Sequence, residues 1–168
     1  MGVSAEFLPE FDLEMAAARR TLERIPEDKL AWKPHEKSMT LGRLAGHIAE
    51  LPGMGVSVMT TDGFDVANRG ETGRKPTVAE SQKHVLEVFD KNVAAARAAA
   101  ASASDEQWAK KWKLHMGDKT FYEGPRIGAM RRMMMSHIVH HRAQLGVYLR
   151  LNDVAVPSVY GPSADEGR

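Results

Sequence analysis

Residues 125–151 read PRIGAMRRMMMSHIVHHRAQLGVYLRL and carry the longest helix signal in the chain of 168 residues. The proline at the start favours the first turn of a helix, because its missing N–H has no partner there in any case. Apolar residues then recur at spacings of three, four and their sums, which is typical of a helix with one buried face. These residues are Ile127, Met130, Met134, Leu145 and Tyr148. The stretch therefore predicts a long helix from Pro125 to about Leu151.

Three histidines lie on this predicted helix, and helical geometry separates them. At ~100° per residue, His141 lies about 40° from His137, and both fall within the apolar stripe, whereas His140 falls about 60° to the other side. Two histidines four residues apart project their rings together, which is a spacing that helical metal sites use. Hydrogen-bonded histidines of an ordinary core remain the alternative. The methionines of the same stretch share their side with ordinary apolar residues, so we interpret them as core.

Three further helices are predicted from spacing and caps. Residues 7–25 form the first, ended by Pro26, and Thr40 caps a second that covers LGRLAGHIAELPGMGVSVM. A T-x-x-E capping box at Thr77 and Glu80 opens the third. The buried positions of the first are Leu8, Phe11, Met15, Ala18, Leu22 and Ile25, and those of the third are Val85, Phe89, Val93 and Ala96. Four long helices in a chain of this length predict one all-α domain, a four-helix bundle over residues 1–168.

The connections differ in length and character. Trp32, between Pro26 and Pro34, is expected to pack back on the bundle. Pro52 and the glycines after it should kink or loosen the second helix, and residues 60–76 then read as a long loop able to cover a site. Ser104 and Gln107 offer a cap for a short turn carrying Trp108. Residues 112–124 alternate around Gly-Asp, which indicates either a small hairpin or an irregular crossover.

His47 lies on the apolar stripe of the second helix, within about 60° of Leu44, Leu51 and Val58. Three imidazoles buried in one core without a shared ligand would need several separate polar partners, so a third histidine favours a metal site. Glu50 lies about 60° from His47 and could accept a proton, orient a metal-bound water or face solvent. Gln144 falls about 20° from His137, close enough for a hydrogen bond beside the site, whereas Arg142 points elsewhere.

Composition narrows the function classes. Lys and Arg total 23 against 22 Asp and Glu, so the net charge of +1 gives no support for binding to nucleic acid or to a membrane surface. The N-terminus MGVSAEFLPEFDLEM lacks the basic start and apolar run of a signal peptide, and no apolar stretch approaches a membrane span, so we expect a cytoplasmic protein. The chain has no cysteine, so any metal must be held by His, Asp or Glu and any reactive thiol must come from outside.

Two stretches resemble one known family. Residues 22–51, LERIPEDKLAWKPHEKSMTLGRLAGHIAEL, and residues 135–161, MSHIVHHRAQLGVYLRLNDVAVPSVYG, are similar to the DinB-like superfamily. The first family motif falls on Pro34, Ser38, Leu44 and His47, and the second on His137, His141, Arg142 and Gln144. Ala143 stands where the family often has glycine, a change that leaves the ligand assignment intact.

The resemblance implies a four-helix bundle in up-down-down-up order, with a long crossover between the second and third helices. It also implies a site for zinc, nickel or a similar divalent ion formed by His47, His137 and His141. Many relatives pair as dimers, and some are transferases or isomerases that use a low-molecular-weight thiol. On that basis Gln144 or Glu50 would orient a group during a metal-dependent reaction. A non-catalytic binding or stress-response protein stabilised by metal, and a metal-free bundle with three satisfied core histidines, are the alternatives.

Overall fold

The computed structural model describes residues 2–67 and 76–167, and most of them are helical. Three helices of 20 residues and one long C-terminal helical segment dominate the described chain, together with a small sheet of three strands. The elements are α1 Val3–Leu22, a 3-10 turn Glu27–Lys29, α2 Leu41–Thr60, β1 Gly63–Asp65, α3 Gln82–Ala101, α4 Asp105–Ala109, β2 Lys111–Met116, β3 Lys119–Pro125, α5 Arg126–Ala129, a π-helical segment Met130–Met135 and α6 Ser136–Leu151. The predicted helical class is confirmed, and the sheet corrects its all-α form.

The long helices enclose one core. α2 packs against α3 and α6, and α1 packs against the same two helices from the other side. Phe11, Met15, Ala18 and Leu22 of α1 are buried as their spacing predicted, whereas Leu8 is only partly buried. Trp32 packs back as predicted, with its ring edge-on to that of Tyr148 at 5.5 Å. The up-down-down-up order of the helices stays a prediction.

The helix starts show which capping predictions were right. The Thr40 hydroxyl accepts from the N–H of Arg43 at the start of α2, and the Ser104 hydroxyl accepts from Gln107 at the start of α4, as predicted. The predicted cap of the third helix at Thr77 is wrong, because α3 begins at Gln82 and its cap is Ser81. The backbone of Thr77 is instead bonded to side chains of α2, which holds it outside any helix.

The hairpin alternative for residues 112–124 is confirmed, and the loop prediction for residues 60–76 is wrong in part. β2 and β3 pair antiparallel, and the turn between them uses Gly117 at φ +54°, a conformation that glycine adopts without steric cost. β1 lies inside the predicted loop and pairs parallel with β2, Phe64 opposite Leu114. Three residues are too few to show an alternating pattern, so β1 had no sequence signal. Residues 68–75 of that loop lie outside the described part.

The last helix is continuous but not uniform. Its second and third turns form the π-helical segment, where Met130 and Met134 are fully buried, in agreement with their interpretation as core. A Cβ on Gly55 would lie 2.6 Å from the sulfur of Met134, so this glycine of α2 makes room for the segment. α2 itself runs through Pro52 to Thr60. Among the described helices, none combines the length and the apolar character needed to cross a membrane.

Candidate metal centre

Three histidines converge where α2 faces α6. His47 projects from α2, and His137 and His141 project from consecutive turns of α6. Ring centroids are 5.1 Å apart for His47 and His137, 4.6 Å for His47 and His141, and 4.8 Å for His137 and His141. The Nε2 atoms of His47 and His137 are 3.4 Å apart, and one ligand nitrogen from each ring lies within 4.8 Å of the others. This spacing allows the three rings to share one metal ion.

Hydrogen bonds hold the outer sides of the His141 and His137 rings, which leaves Nε2 of each for a metal. Nδ1 of His141 lies 2.7 Å from Oε1 of Gln144, and because an amide oxygen only accepts, Nδ1 carries the proton. His137 has a hydrogen bond with the backbone of Met133, and its Nε2 faces His47. Nδ1 of His47 is buried without a hydrogen-bond partner in the described residues, 3.8 Å from Oε2 of Glu50. Metal-binding histidines usually have such an acceptor behind them, so these residues fit a metal.

The protonation of the rings also suits a metal. Burial lowers the pKa of His141 to about 4, and the nearby His47 and His137 act in the same direction, against the hydrogen bond to Gln144. Burial, with a further contribution from His47, lowers the pKa of His137 as well. Both rings are therefore neutral at neutral pH, which is the form that binds a metal ion.

Glu50 ties the site to the segment before α3. Its Oε1 accepts from the backbone N–H of Thr77 and from Arg43 Nη1 at 3.1 Å, and Arg43 also donates to the Thr77 carbonyl at 3.0 Å. Burial acts to raise the pKa of Glu50, but His47, the Thr77 N–H and the Arg43 charge together hold it below its ordinary value. The alternative in which Glu50 simply faces solvent is therefore wrong.

Gly46 permits this contact between α2 and Thr77. A Cβ at position 46 would lie 2.2 Å from the carbonyl oxygen of Thr77, closer than any side-chain carbon can approach. Only glycine fits there without moving the backbone. The glycine beside His47 therefore has a packing role that its place in the helix did not indicate.

A cavity of about 280 Å³ opens beside the histidines. His47 and His137 form part of its wall, while His141 lies behind them and is buried. The remaining wall is mostly apolar: Leu51, Met54, Phe64, Val66, Leu114 and Met133, with Glu50, Thr77 and Asn92 as the other polar residues. A small ligand in this cavity would lie against two of the three imidazoles.

Asn92 is the cavity residue that the sequence analysis did not identify. It lies on α3 three residues after Phe89 and four before Ala96, both buried, so it occupies the buried stripe of the helix. A polar residue at such a position was the available signal. β1 and the hairpin supply Phe64 and Leu114, which no local pattern could have assigned to the site.

Three other residues named from the sequence lie apart from the triad. His140 is exposed, with its ring 4.8 Å from that of His141, and it is not part of the group that could hold a metal. Arg142 points away from the triad, as its helical angle predicted, and pairs with Glu14 of α1. Ala143 is exposed beside a groove on that same outer side of α6, so its difference from the family glycine does not touch the histidines.

Helical bundles hold metal ions in this way, with side chains on facing helices directed into the core. The model of the DinB family matches residues 1–168, and the chain belongs to the DinB family. It is similar to the uncharacterized protein YrdA of Bacillus subtilis (strain 168), with 24% identity over 163 residues that cover 95% of this chain and 89% of that protein.

Two solved structures have the same fold. A DinB-like protein from Bacillus cereus ATCC 10987 matches with a TM-score of 0.68 and 22% identity, over 92% of this chain and 95% of that one. The DinB-like protein YjoA from Bacillus subtilis matches with a TM-score of 0.70 and 17% identity, over 92% of this chain and 97% of the other. The resemblance seen in the sequence is therefore confirmed for family and fold.

Proposed function

We propose that this DinB-family protein binds one divalent metal ion, zinc or nickel, through His47, His137 and His141 and is a metal-dependent enzyme. The observation that carries the proposal is the convergence of three imidazoles whose outer sides each face an acceptor. Three protein ligands leave a position open in a four-coordinate site, as catalytic sites require. The adjoining cavity gives a small molecule access to that position.

The reaction class we propose is transfer or isomerisation that uses a low-molecular-weight thiol. A bound divalent ion would lower the pKa of such a thiol and so supply a thiolate nucleophile at neutral pH. The chain has no cysteine, so the sulfur must come from the cosubstrate. Gln144 and Glu50 act as positioning residues, holding the rings of His141 and His47, and the apolar wall accepts the body of the ligand.

Two successive measurements test this function. Elemental analysis of untagged protein should find close to one zinc or nickel per chain, and the triple variant H47A/H137A/H141A should contain none. The loaded protein should then consume an electrophile only when a cellular thiol is supplied. Metal retained by the triple variant would refute the site, while full loading without turnover of any thiol and electrophile pair would refute the reaction.

A non-catalytic protein that metal stabilises is the second candidate, favoured by one observation. His47 and the other two ligands lie on different helices, so a shared ion would cross-link α2 to α6 and stabilise the bundle. This candidate predicts a large fall in Tm on chelation and no exchangeable ligand on the metal. A small molecule that perturbs the metal spectrum would exclude it.

We also propose that the protein is a cytoplasmic homodimer. Val147 and Leu151, 58% and 57% exposed, are apolar residues at a groove of about 490 Å³ on the outer face of α6. A second copy on this face would cover them, and sedimentation velocity of the loaded protein tests the dimer. A monomer at all concentrations would refute it.

A further inference from the structure

We infer that Asn92 recognises a hydrogen-bond donor on the ligand, so that the cavity takes a small molecule with a metal-binding atom at one end and a hydroxyl or N–H group at the other. This inference rests on the proposed function, because the metal-binding end belongs to the triad of His47, His137 and His141.

The orientation of the Asn92 amide is set by the protein. Nδ2 donates to the carbonyl oxygen of Ala49 at 2.9 Å. Only the nitrogen of an amide can face a carbonyl oxygen, so the assignment of nitrogen and oxygen has one solution. The oxygen Oδ1 accepts no hydrogen bond from any of the residues that the structure describes. Asn92 therefore offers the cavity an acceptor whose direction is already set.

The carboxylate of Glu50 and the backbone of Thr77, which also line the cavity, already have partners in the fold. Glu50 bonds to Arg43 and to the Thr77 N–H, and the Thr77 carbonyl accepts from Arg43. The rest of the wall outside the histidines is apolar. None of the hydrogen bonds between described residues reaches the amide oxygen of Asn92, so this oxygen is available to a ligand in the cavity. In a mostly apolar cavity, an acceptor that the ligand can pair favours a ligand with a donor over one of equal size without it.

The position of Asn92 favours a role in ligand recognition over a role in packing. The residue lies on the buried stripe of α3 between Phe89 and Ala96, where an apolar side chain would pack without the need for any partner. Its anchor, the Ala49 carbonyl, lies next to Glu50 and two residues from His47 on α2. The acceptor therefore belongs to the same wall as the metal ligands. The class of ligand that fits is a short bifunctional molecule with an apolar middle.

Two isosteric ligand pairs test the inference on cobalt-loaded protein, with the cobalt absorption spectrum as the readout. The first pair is 2-mercaptoethanol and 1-propanethiol, and the second is 4-(hydroxymethyl)imidazole and 4-ethylimidazole. In each pair a hydroxyl replaces a methyl group of similar size. The native protein should bind the hydroxyl member more tightly than Asn92→Leu does, by roughly two- to tenfold. The methyl members should bind both proteins alike.

Controls keep the result interpretable. Asn92→Ala gives a second variant in case leucine disturbs α3, and the ligand-free cobalt spectrum of each variant should equal that of the native protein. Met54→Leu alters the same wall without removing an acceptor, so it should shift both members of a pair equally. An unchanged preference in both Asn92 variants would overturn the inference.

The outcomes also distinguish the inference from the function it rests on. If both thiols fail to perturb the spectrum but the imidazole pair shows the Asn92 preference, the thiol reaction is refuted and the inference stands. If thiols bind without any effect of Asn92, the inference fails and the thiol function stands. If cobalt is not bound through the histidines, or no ligand reaches it, both fail together.

Discussion

The inner and outer faces of α6 both carry polar side chains in mostly apolar surroundings, but the two faces differ in the partners that the fold gives to these side chains. On the outer face, Arg142 donates to Glu14 Oε2 at 2.7 Å and lies over the ring of Tyr160 at 5.0 Å. The Tyr160 hydroxyl bonds in turn to both Glu14 oxygens at 2.8 Å. On the inner face, His137 and His141 turn their Nε2 atoms toward His47, where no carboxylate meets them among the described residues.

This difference distinguishes polar residues that stabilise the fold from polar residues that form a candidate binding site. A buried charge is tolerated when the fold itself supplies the partner, and the Arg142 group is complete in this sense. Three imidazoles whose ligand nitrogens lie within 4.8 Å of one another form a group that could hold a metal ion. His141 and Arg142 are therefore neighbours in the sequence with different roles: His141 belongs to the candidate metal site, and Arg142 stabilises the fold.

The largest expected effect is on the inner face. We expect His137→Ala to weaken binding of zinc or nickel by more than the roughly 10–100-fold that loss of an outer hydrogen-bond partner costs, because a ligand itself is removed. Competition with a chromophoric chelator measures the affinity. His140→Ala is the matched control on the same helix and should retain native affinity, since its exposed ring is outside the triad. Equal loss in both variants would contradict the assignment.

The outer face should respond in stability and not in metal content. Arg142→Met removes the partner of Glu14, whose side chain is 15% exposed, and should lower the free energy of unfolding by about 3 kcal/mol. Urea denaturation of the metal-free protein measures it. The folded variant should still bind one metal ion with native affinity. A variant of native stability that has lost its metal would reverse the roles we assign to the two faces.

The next largest effect is expected from a substitution at the contact between α2 and Thr77. Gly46→Ala places a Cβ 2.2 Å from the Thr77 carbonyl oxygen, so the backbone must move, at a cost of about 1–2 kcal/mol in the free energy of unfolding. Gly146→Ala on α6 is the control, because its Cβ would meet nothing nearer than Val156 at 3.7 Å. That change should stabilise the helix by roughly 0.5–1 kcal/mol. Destabilisation of equal size in both would argue against the close contact.

The smallest effect is that of pH on the metal-free protein. The pKa of His141 is about 4 in the fold and ordinarily about 6.5, so between these values the unfolded chain binds a proton that the folded chain does not. Stability is therefore complete above about pH 6.5 and is lost as pH falls toward 4. From pH 7 to 5.5 the free energy of unfolding should fall by about 1 kcal/mol.

The groups around His141 modify this dependence in known directions. The lowered pKa of His137 adds to the loss of stability in the same pH range. The pKa of Glu50 is also lowered in the fold, so its contribution to stability is lost only as pH falls below its ordinary value of 4.5. His141→Asn should flatten the slope without removing it. Urea titrations at each pH provide the measurement, and a native protein that is more stable at pH 5.5 than at pH 7 would contradict the burial of these rings.

Local patterns predicted the helices well and the site in part. Spacing at ~100° per residue selected His137 and His141 over His140, because side-chain direction on a regular helix follows from sequence position alone. The same reasoning put Arg142 on another face. It failed at Thr77, where a capping motif was overridden by contacts to α2, and at β1, where three residues carried no period.

The sequence by itself determined the family, the long helices and which three histidines share apolar faces, since these depend on short-range periodicity and on motifs that can be matched directly. Only the tertiary structure decided that the Nε2 atoms meet, that Glu50 faces His47 while bound to Thr77, and that Asn92 offers an acceptor to the cavity. Each of these joins elements far apart in the chain, and their relative placement depends on how the helices pack. The histidines of α6 were visible in residues 125–151, but their partner and their cavity were not.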